Sequence, residues 1–219
     1  MKVKVLGVDP SFRNFGMVVA ELDIETKQFE ILNMEIAKTE EEKESRLKAV
    51  KVGGKTTLKK VKERPKDTRK NADDLRRAKI LHDALQYHAK DAYFAIAEIP
   101  VGSQDARAMA SYGVCLGVLA SLSIPLVQVT PTEVKLAGTN NENATKDEMI
   151  KAAVKEHPNA PWLTRKLKGE TLYKNENEHL ADATFTIKAG LQTSFCDIIL
   201  AHLTECLDII RIEERSPQK

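Results

Sequence analysis

Four side chains are of types that hold divalent cations, and their spacing lets them meet. Asp9 closes the apolar run Val5-Leu6-Gly7-Val8-Asp9, and Glu98 closes Tyr93-Phe94-Ala95-Ile96-Ala97-Glu98. His179 and Asp182 stand three residues apart in Glu178-His179-Leu180-Ala181-Asp182-Ala183, which puts them on one face of a helix. A carboxylate at the end of a buried strand is costly unless something compensates it, and a bound cation does so. Two divalent ions about 3.5–4 Å apart serve the attacking and the leaving oxygen of phosphodiester hydrolysis. Mg²⁺ prefers oxygen ligands and keeps several waters, so a few carboxylates suffice, with Mn²⁺ as a substitute. In that chemistry Asp9 bridges two ions, Glu98 binds one and Asp182 the other. His179 then ligates a metal or orients the attacking water. Each residue also has an ordinary reading. Asp9 before Pro10 starts a turn, Glu98 is an exposed strand end, His179 is a satisfied helix-surface histidine, and Asp182 is a solvated charge. The joint placement of all four weighs against that set of coincidences.

The elements that position these groups read as α/β. Residues 2–9, 15–22 and 29–36 form three strands with short links, hence an antiparallel meander. Residues 93–99 are apolar throughout, which predicts a central strand, and 126–129 form a short fifth. Helices are expected from Asn71 to about Lys90, with Leu75, Ala78, Leu81, His82 and Leu85 inward. Others are expected over 104–122, from the capping box Thr145-Lys146-Asp147-Glu148 to His157, over 177–189, and from Ser194, as cap, to Ile210. Residues 40–70 read as an acidic helical start and then a hairpin turn at Val52-Gly53-Gly54-Lys55. Residues 158–175 read as a long loop, and loops of that length are usually functional or disordered. Together these give one domain over 1–219, with a basic insertion at about 40–70.

Charge is unevenly placed. From Lys48 to Lys70, ten Lys and Arg stand against Glu63 and Asp67, giving +8. The whole chain carries +2, so the remainder carries −6. A basic segment on an acidic body suits a polyanion, with Lys51, Lys55, Lys59 and Lys60 as candidate contacts. A solvated loop without a partner fits the composition equally, and the carboxylate set tilts the balance toward nucleic acid. Arg165 and Lys166, near Trp162 and Tyr173, suit a grip on unstacked DNA. Trp162 as a core anchor among solvated lysines is the equal alternative. Ala106, Ala110, Gly113 and Gly117 form a small-residue stripe, read first as packing onto the sheet and second as a dimer interface. Cys115, Cys196 and Cys206 lack CxxC spacing and read as buried thiols of a reducing compartment. No apolar run approaches the ~20 residues of a membrane span, and no signal-peptide pattern opens the chain. A cytoplasmic protein is expected, in a bacterial cell or phage-infected host.

At the level of motifs the chain resembles the RuvC-type Holliday junction resolvases. Asp9-Pro10-Ser11 followed by Gly16 is similar to their first-strand motif, and Glu98 to their second acidic residue. Pro131-Thr132-Glu133-Val134-Lys135, Gly138 and Ala144-Thr145-Lys146 resemble their P-x-x-V-K … G … A-x-K stretch. His179-Leu180-Ala181-Asp182-Ala183 resembles the C-terminal motif of members with His and Asp there. The blocks occur in family order across most of residues 1–190. The resemblance implies a ribonuclease-H-like fold, with three antiparallel and two parallel strands in a mixed five-stranded sheet flanked by helices. It implies a Mg²⁺-dependent homodimer that nicks four-way DNA symmetrically, with Lys135 and Lys146 on phosphate. Two departures stand out. The Asp9–Glu98 interval is long, which suits a phage-encoded branch. Pro100-Val101-Gly102-Ser103-Gln104 also lacks the aromatic that stacks at the junction centre, leaving Val101, Gln104 or Tyr112 as substitutes.

The expected activity is therefore a structure-selective endodeoxyribonuclease with four-way or branched DNA as partner. The alternatives are a ribonuclease-H-like nuclease on RNA–DNA hybrid or flap substrates, and a non-catalytic junction-binding protein. An actin-like kinase also opens on an Asp-containing strand and turn, but the glycine-rich phosphate loop it needs is missing.

Overall fold

Strand β1 (Lys2–Asp9) alternates exposed and buried residues and then runs fully buried to Gly7 and Val8, as a strand flanked on both sides must. It pairs antiparallel with β2 (Asn14–Asp23), which pairs antiparallel with β3 (Phe29–Lys38). The computed structural model describes residues 1–40, 45–52, 55–62, 69–167 and 169–215. Next come β4 (Ser45–Val52), β5 (Lys55–Lys62), α1 (Lys70–Ala89), β6 (Phe94–Glu98), α2 (Ala106–Ala120), β7 (Leu126–Val129) and α3 (Pro131–Thr139). The chain continues with α4 (Lys146–Glu156), β8 (Thr164–Leu167), β9 (Glu170–Tyr173), α5 (Asn177–Gly190) and α6 (Ser194–Arg215). The main sheet has the order β3-β2-β1-β6-β7, with β1, β6 and β7 parallel. This is the expected mixed sheet of a ribonuclease-H-like α/β fold.

Strand periodicity divides the core between the two sheet faces. Leu6, Val8, Ala95 and Ala97 pack with Leu81 and Leu85 of α1 and Cys115, Val118 and Leu119 of α2. Val3, Val5, Phe94 and Ile96 pack with Leu180, Phe185 and Ile187 of α5 and with Met149 and Ala153 of α4. Helix α5 is buried along most of its length. It lies so close to the sheet that a Cβ on Gly7 would collide with the Ala183 carbonyl oxygen. A Cβ on Gly16 would collide with the His179 carbonyl. Glycine is thus required where the helix backbone rests on strand backbone.

Several expectations change. Leu75 and His82 are exposed, while Leu81 and Leu85 are buried as expected and Arg77, His88 and Ala89 join them. The stripe Ala106, Ala110, Gly113 and Gly117 faces outward, because α2 packs through Cys115, Val118 and Leu119. Residues 131–139, read only as a motif, form a helix with a Thr130/Glu133 capping box, Pro131 in the first turn and a left-handed Asn140 at its end. The 158–175 loop contains the β8–β9 hairpin, which turns at Gly169 (φ 89°). Trp162 is buried and donates its Nε1–H to the His157 carbonyl, so it is a core anchor. Helix α6 takes its cap from Thr193, whose hydroxyl accepts the Cys196 N–H, and it continues to Arg215. Cys206 is half-buried, unlike Cys115 and Cys196.

Residues 45–62 pair as a hairpin, from Ser45↔Lys62 to Val52↔Lys55. The turn expected at Gly53-Gly54, and most of the acidic helical start at 41–44, lie outside the described residues; Ser45 onward is strand. No helix among the described residues is long and apolar enough to cross a membrane.

Candidate active site at the carboxyl ends of the parallel strands

Register brings the first two carboxylates together. The last β1–β6 pair is Val8↔Ala97, so Asp9 and Glu98 are the next residues on neighbouring parallel strands. Both follow the parity of Val5, Gly7, Phe94 and Ile96, which places them on the face covered by α5. In open α/β sheets the carboxyl ends of the strands are where ligands bind.

The first turns of α5 supply the rest. His179 Nδ1–H donates to Asp9 Oδ2 at 2.7 Å, and both side chains are only 14% exposed. His179 Nε2 faces Glu178 Oε1 at 3.4 Å. The other Glu178 oxygen, Oε2, accepts from Lys146 Nζ at 2.9 Å. Lys146 opens α4 and is 76% exposed, so Glu178 tethers a solvent-facing ammonium at the edge of the acidic group. Glu178 is a member of the site that motif reading passed over. Its signal is its spacing, four residues before Asp182 and therefore on the same helical face.

Electrostatics show that these groups share one field. Burial pushes the Glu98 carboxyl up to about 7; the Asp9 charge adds to this and Lys135 of α3 opposes it. Asp182 is raised well above the usual carboxylate range, first by burial and then by Asp9, Glu98 and Glu178, with Lys146 opposing. The donor set of carboxylates and an imidazole, with negative charge in excess, suits a hard divalent cation. As the side chains lie, no three His, Cys, Asp or Glu groups among the described residues are arranged to hold a metal ion. Asp9 Oδ2 is engaged by His179 instead, and a cation at Asp9 would bind through the other oxygen or replace that hydrogen bond.

The remaining candidates lie further out. Arg165 and Lys166 are exposed on β8. Lys51 lies in β4, and Lys55, Lys59 and Lys60 in β5, with Lys48 and Lys59 directly paired across the ladder. Val101 is 86% exposed. Tyr112 lines a cleft of ≈ 450 Å³ with Asp9, Glu98, Arg77 and Arg107. This cleft opens on the α2 side of the acidic group.

Among solved structures, the chain is similar to a T. thermophilus RuvC in complex with a Holliday junction substrate. The identity is 17% and the TM-score 0.52, over 86% of this chain and 92% of that one. A second Thermus thermophilus RuvC structure matches at 17% identity and a TM-score of 0.50, over 92% and 97%. The likeness establishes the shared fold. No protein-family model and no curated protein matches the chain.

Proposed function

We propose that the chain is a structure-selective endodeoxyribonuclease that resolves four-way (Holliday) DNA junctions by paired symmetric nicks. The observation that carries this reading is Asp9 and Glu98 on adjacent strand ends, with His179 bonded to Asp9, Asp182 in the field of both carboxylates, and Glu178 tethering Lys146 beside them. The similarity in fold to a RuvC solved on junction DNA supports the same substrate.

Asp9, Glu98 and Asp182 would hold Mg²⁺, or Mn²⁺ in its place, with His179 as a further ligand or as the group that orients water. When bound, such ions supply positive charge beside the attacking and leaving oxygens. The chain's own residues do the rest. His179 fixes the Asp9 carboxylate through Nδ1–H. Glu178 holds the Lys146 ammonium at the rim, where it meets a phosphate as a point charge. Lys135, which already bears on Glu98, takes the same role from α3. The β4–β5 segment, with Lys51, Lys55, Lys59 and Lys60, reaches the junction arms, and Arg165 and Lys166 offer further phosphate contacts. The outward small-residue stripe of α2, flanked by the exposed Met109 and Leu116, is the face through which two copies associate. A two-fold dimer matches two sites to a two-fold junction.

The test is cleavage of a synthetic four-way junction by the purified chain in Mg²⁺, with both nicks mapped and with hybrid and flap substrates in parallel. Symmetric paired nicks are expected, and Asp9→Asn should bind the junction without cutting it. Undiminished cutting by Asp9→Asn refutes the site. Preferential cutting of hybrid or flap substrates moves the chain to the other nuclease class. Junction binding with no metal-dependent cutting makes it a non-catalytic binder.

A further inference from the structure

The cleft on the α2 side of Asp9 contains a buried guanidinium with no counter-charge on it among the described residues. Arg77 is 8% exposed. Its Nε–H donates to Thr39 Oγ1 at 2.9 Å, and one Nη2–H donates to the Phe12 carbonyl at 3.1 Å. Its carbon lies 3.9 Å from the centre of the Phe12 ring. A guanidinium has five N–H donors, so three remain without an acceptor among the described residues. No carboxylate among the described residues pairs with it. The other two arginines of the cleft are neutralised, Arg13 by Glu40 and Arg107 by both oxygens of Asp74. Asp9 lies on the same turn, but its Oδ2 accepts from His179 Nδ1–H.

A buried charge with no partner costs several kcal/mol, and an apolar side chain of similar volume would avoid that cost. Two neutral hydrogen bonds and a ring contact hold Arg77 in place, yet they leave its charge uncompensated. The cleft it lines is ≈ 450 Å³, within the range of small-ligand pockets, and also contains Asp9, Glu98, Ser11, Ser111 and Tyr112. The missing partner is therefore an anion that enters from this side, and a planar fork suits a phosphate oxygen pair.

We propose that Arg77 is a phosphate-binding residue. Resting on the nuclease reading above, it takes a backbone phosphate that flanks the scissile one, on the side of the acidic group away from Lys135 and Lys146. The strand is then gripped on both sides of Asp9, by lysines from α3 and α4 and by a preset arginine from α1. Because Arg77 bonds the carbonyl of Phe12, three residues after Asp9, the same side chain also fixes the turn that bears the carboxylate.

The experiment measures binding of a synthetic four-way junction in EDTA over a range of salt concentrations, for wild type, Arg77→Gln and Arg77→Lys, normalised to folded protein by thermal melting. For Arg77→Gln, affinity should fall about tenfold and the log–log salt slope by about 0.9, the equivalent of one phosphate contact. Arg77→Lys keeps the cation without the fork, so the slope should hold while affinity drops severalfold. If Arg77→Gln does not fold, Arg77→Lys decides: an unchanged affinity overturns the proposal. A lower melting temperature with unchanged affinity and slope also overturns it, leaving a positioning residue and an intact nuclease reading. A second arm is independent of DNA. Inorganic pyrophosphate should raise the melting temperature of wild type and not that of Arg77→Gln. If the wild type shows no shift, or both proteins shift equally, the anion site is refuted. Should wild type fail to bind any junction, the nuclease reading falls, and the pyrophosphate arm still decides for or against Arg77.

Discussion

Burial and neighbouring carboxylates disfavour the charged forms of Glu98 and Asp182, which ties stability to pH. The Glu98 carboxyl is lifted from 4.5 to about 7. A group whose native value is raised stabilises the fold fully below its unfolded value, and that contribution is lost as pH rises through the native one. The shift corresponds to about 3 kcal/mol. In EDTA, Glu98→Gln should therefore match wild type near pH 4.5 and exceed its stability by about 3 kcal/mol at pH 8. Denaturant melts at both pH values check this, and an equal offset at the two would contradict it. Asp9, Glu98, His179 and Asp182 were legible as a set because strand parity and helical spacing are properties of sequence alone. Arg77 was not, because its burial depends on Phe12 and Thr39, which only the folded chain brings to it. On the inward face of α1, Leu81 and Leu85 follow from spacing, whereas Arg77 and His88 take the places that spacing assigns to Leu75 and His82.

Among the elements, α5 and β1–β2 set the site by direct backbone contact. Gly16→Ala puts a methyl group into the His179 carbonyl, and either α5 or β2 must shift. A stability loss of about 1–3 kcal/mol is expected, with a larger proportional loss of Mg²⁺-dependent cutting, since the displaced turn carries Glu178 and His179. Melting temperature and nicking rate measured on the same preparation check this; wild-type values for both would refute it. The five strands of the main sheet were readable from alternation and apolar runs. Helix α3 was announced by Thr130-Pro131 and Glu133, a capping signal obscured by reading the stretch only as a motif. Strands β8 and β9 have four residues each and are largely exposed, so they show no hydrophobic alternation. The outward turn of α2 was hidden because small residues suit close packing and open surface equally.

For the whole molecule, charge and chemistry occupy separate segments of the chain. The +8 of residues 48–70 belongs to the β4–β5 hairpin and the stretch that follows it in sequence, while the acidic cluster lies at the carboxyl ends of β1 and β6 under α5. Deleting residues 50–66 should weaken junction binding and flatten its salt dependence while leaving Mg²⁺ affinity unchanged, as titrations of each ligand would show. An unaltered salt slope would remove the hairpin from the interface. Asn177 adds one more connection. It is fully buried, and its amide takes both the N–H and the carbonyl of Leu163 at the foot of the β8–β9 hairpin. The next two residues are Glu178 and His179. A displacement of that outer ribbon would therefore reach the turn bearing Glu178 and His179 through a two-point clasp, making the ribbon a lever whose fulcrum is a single amide.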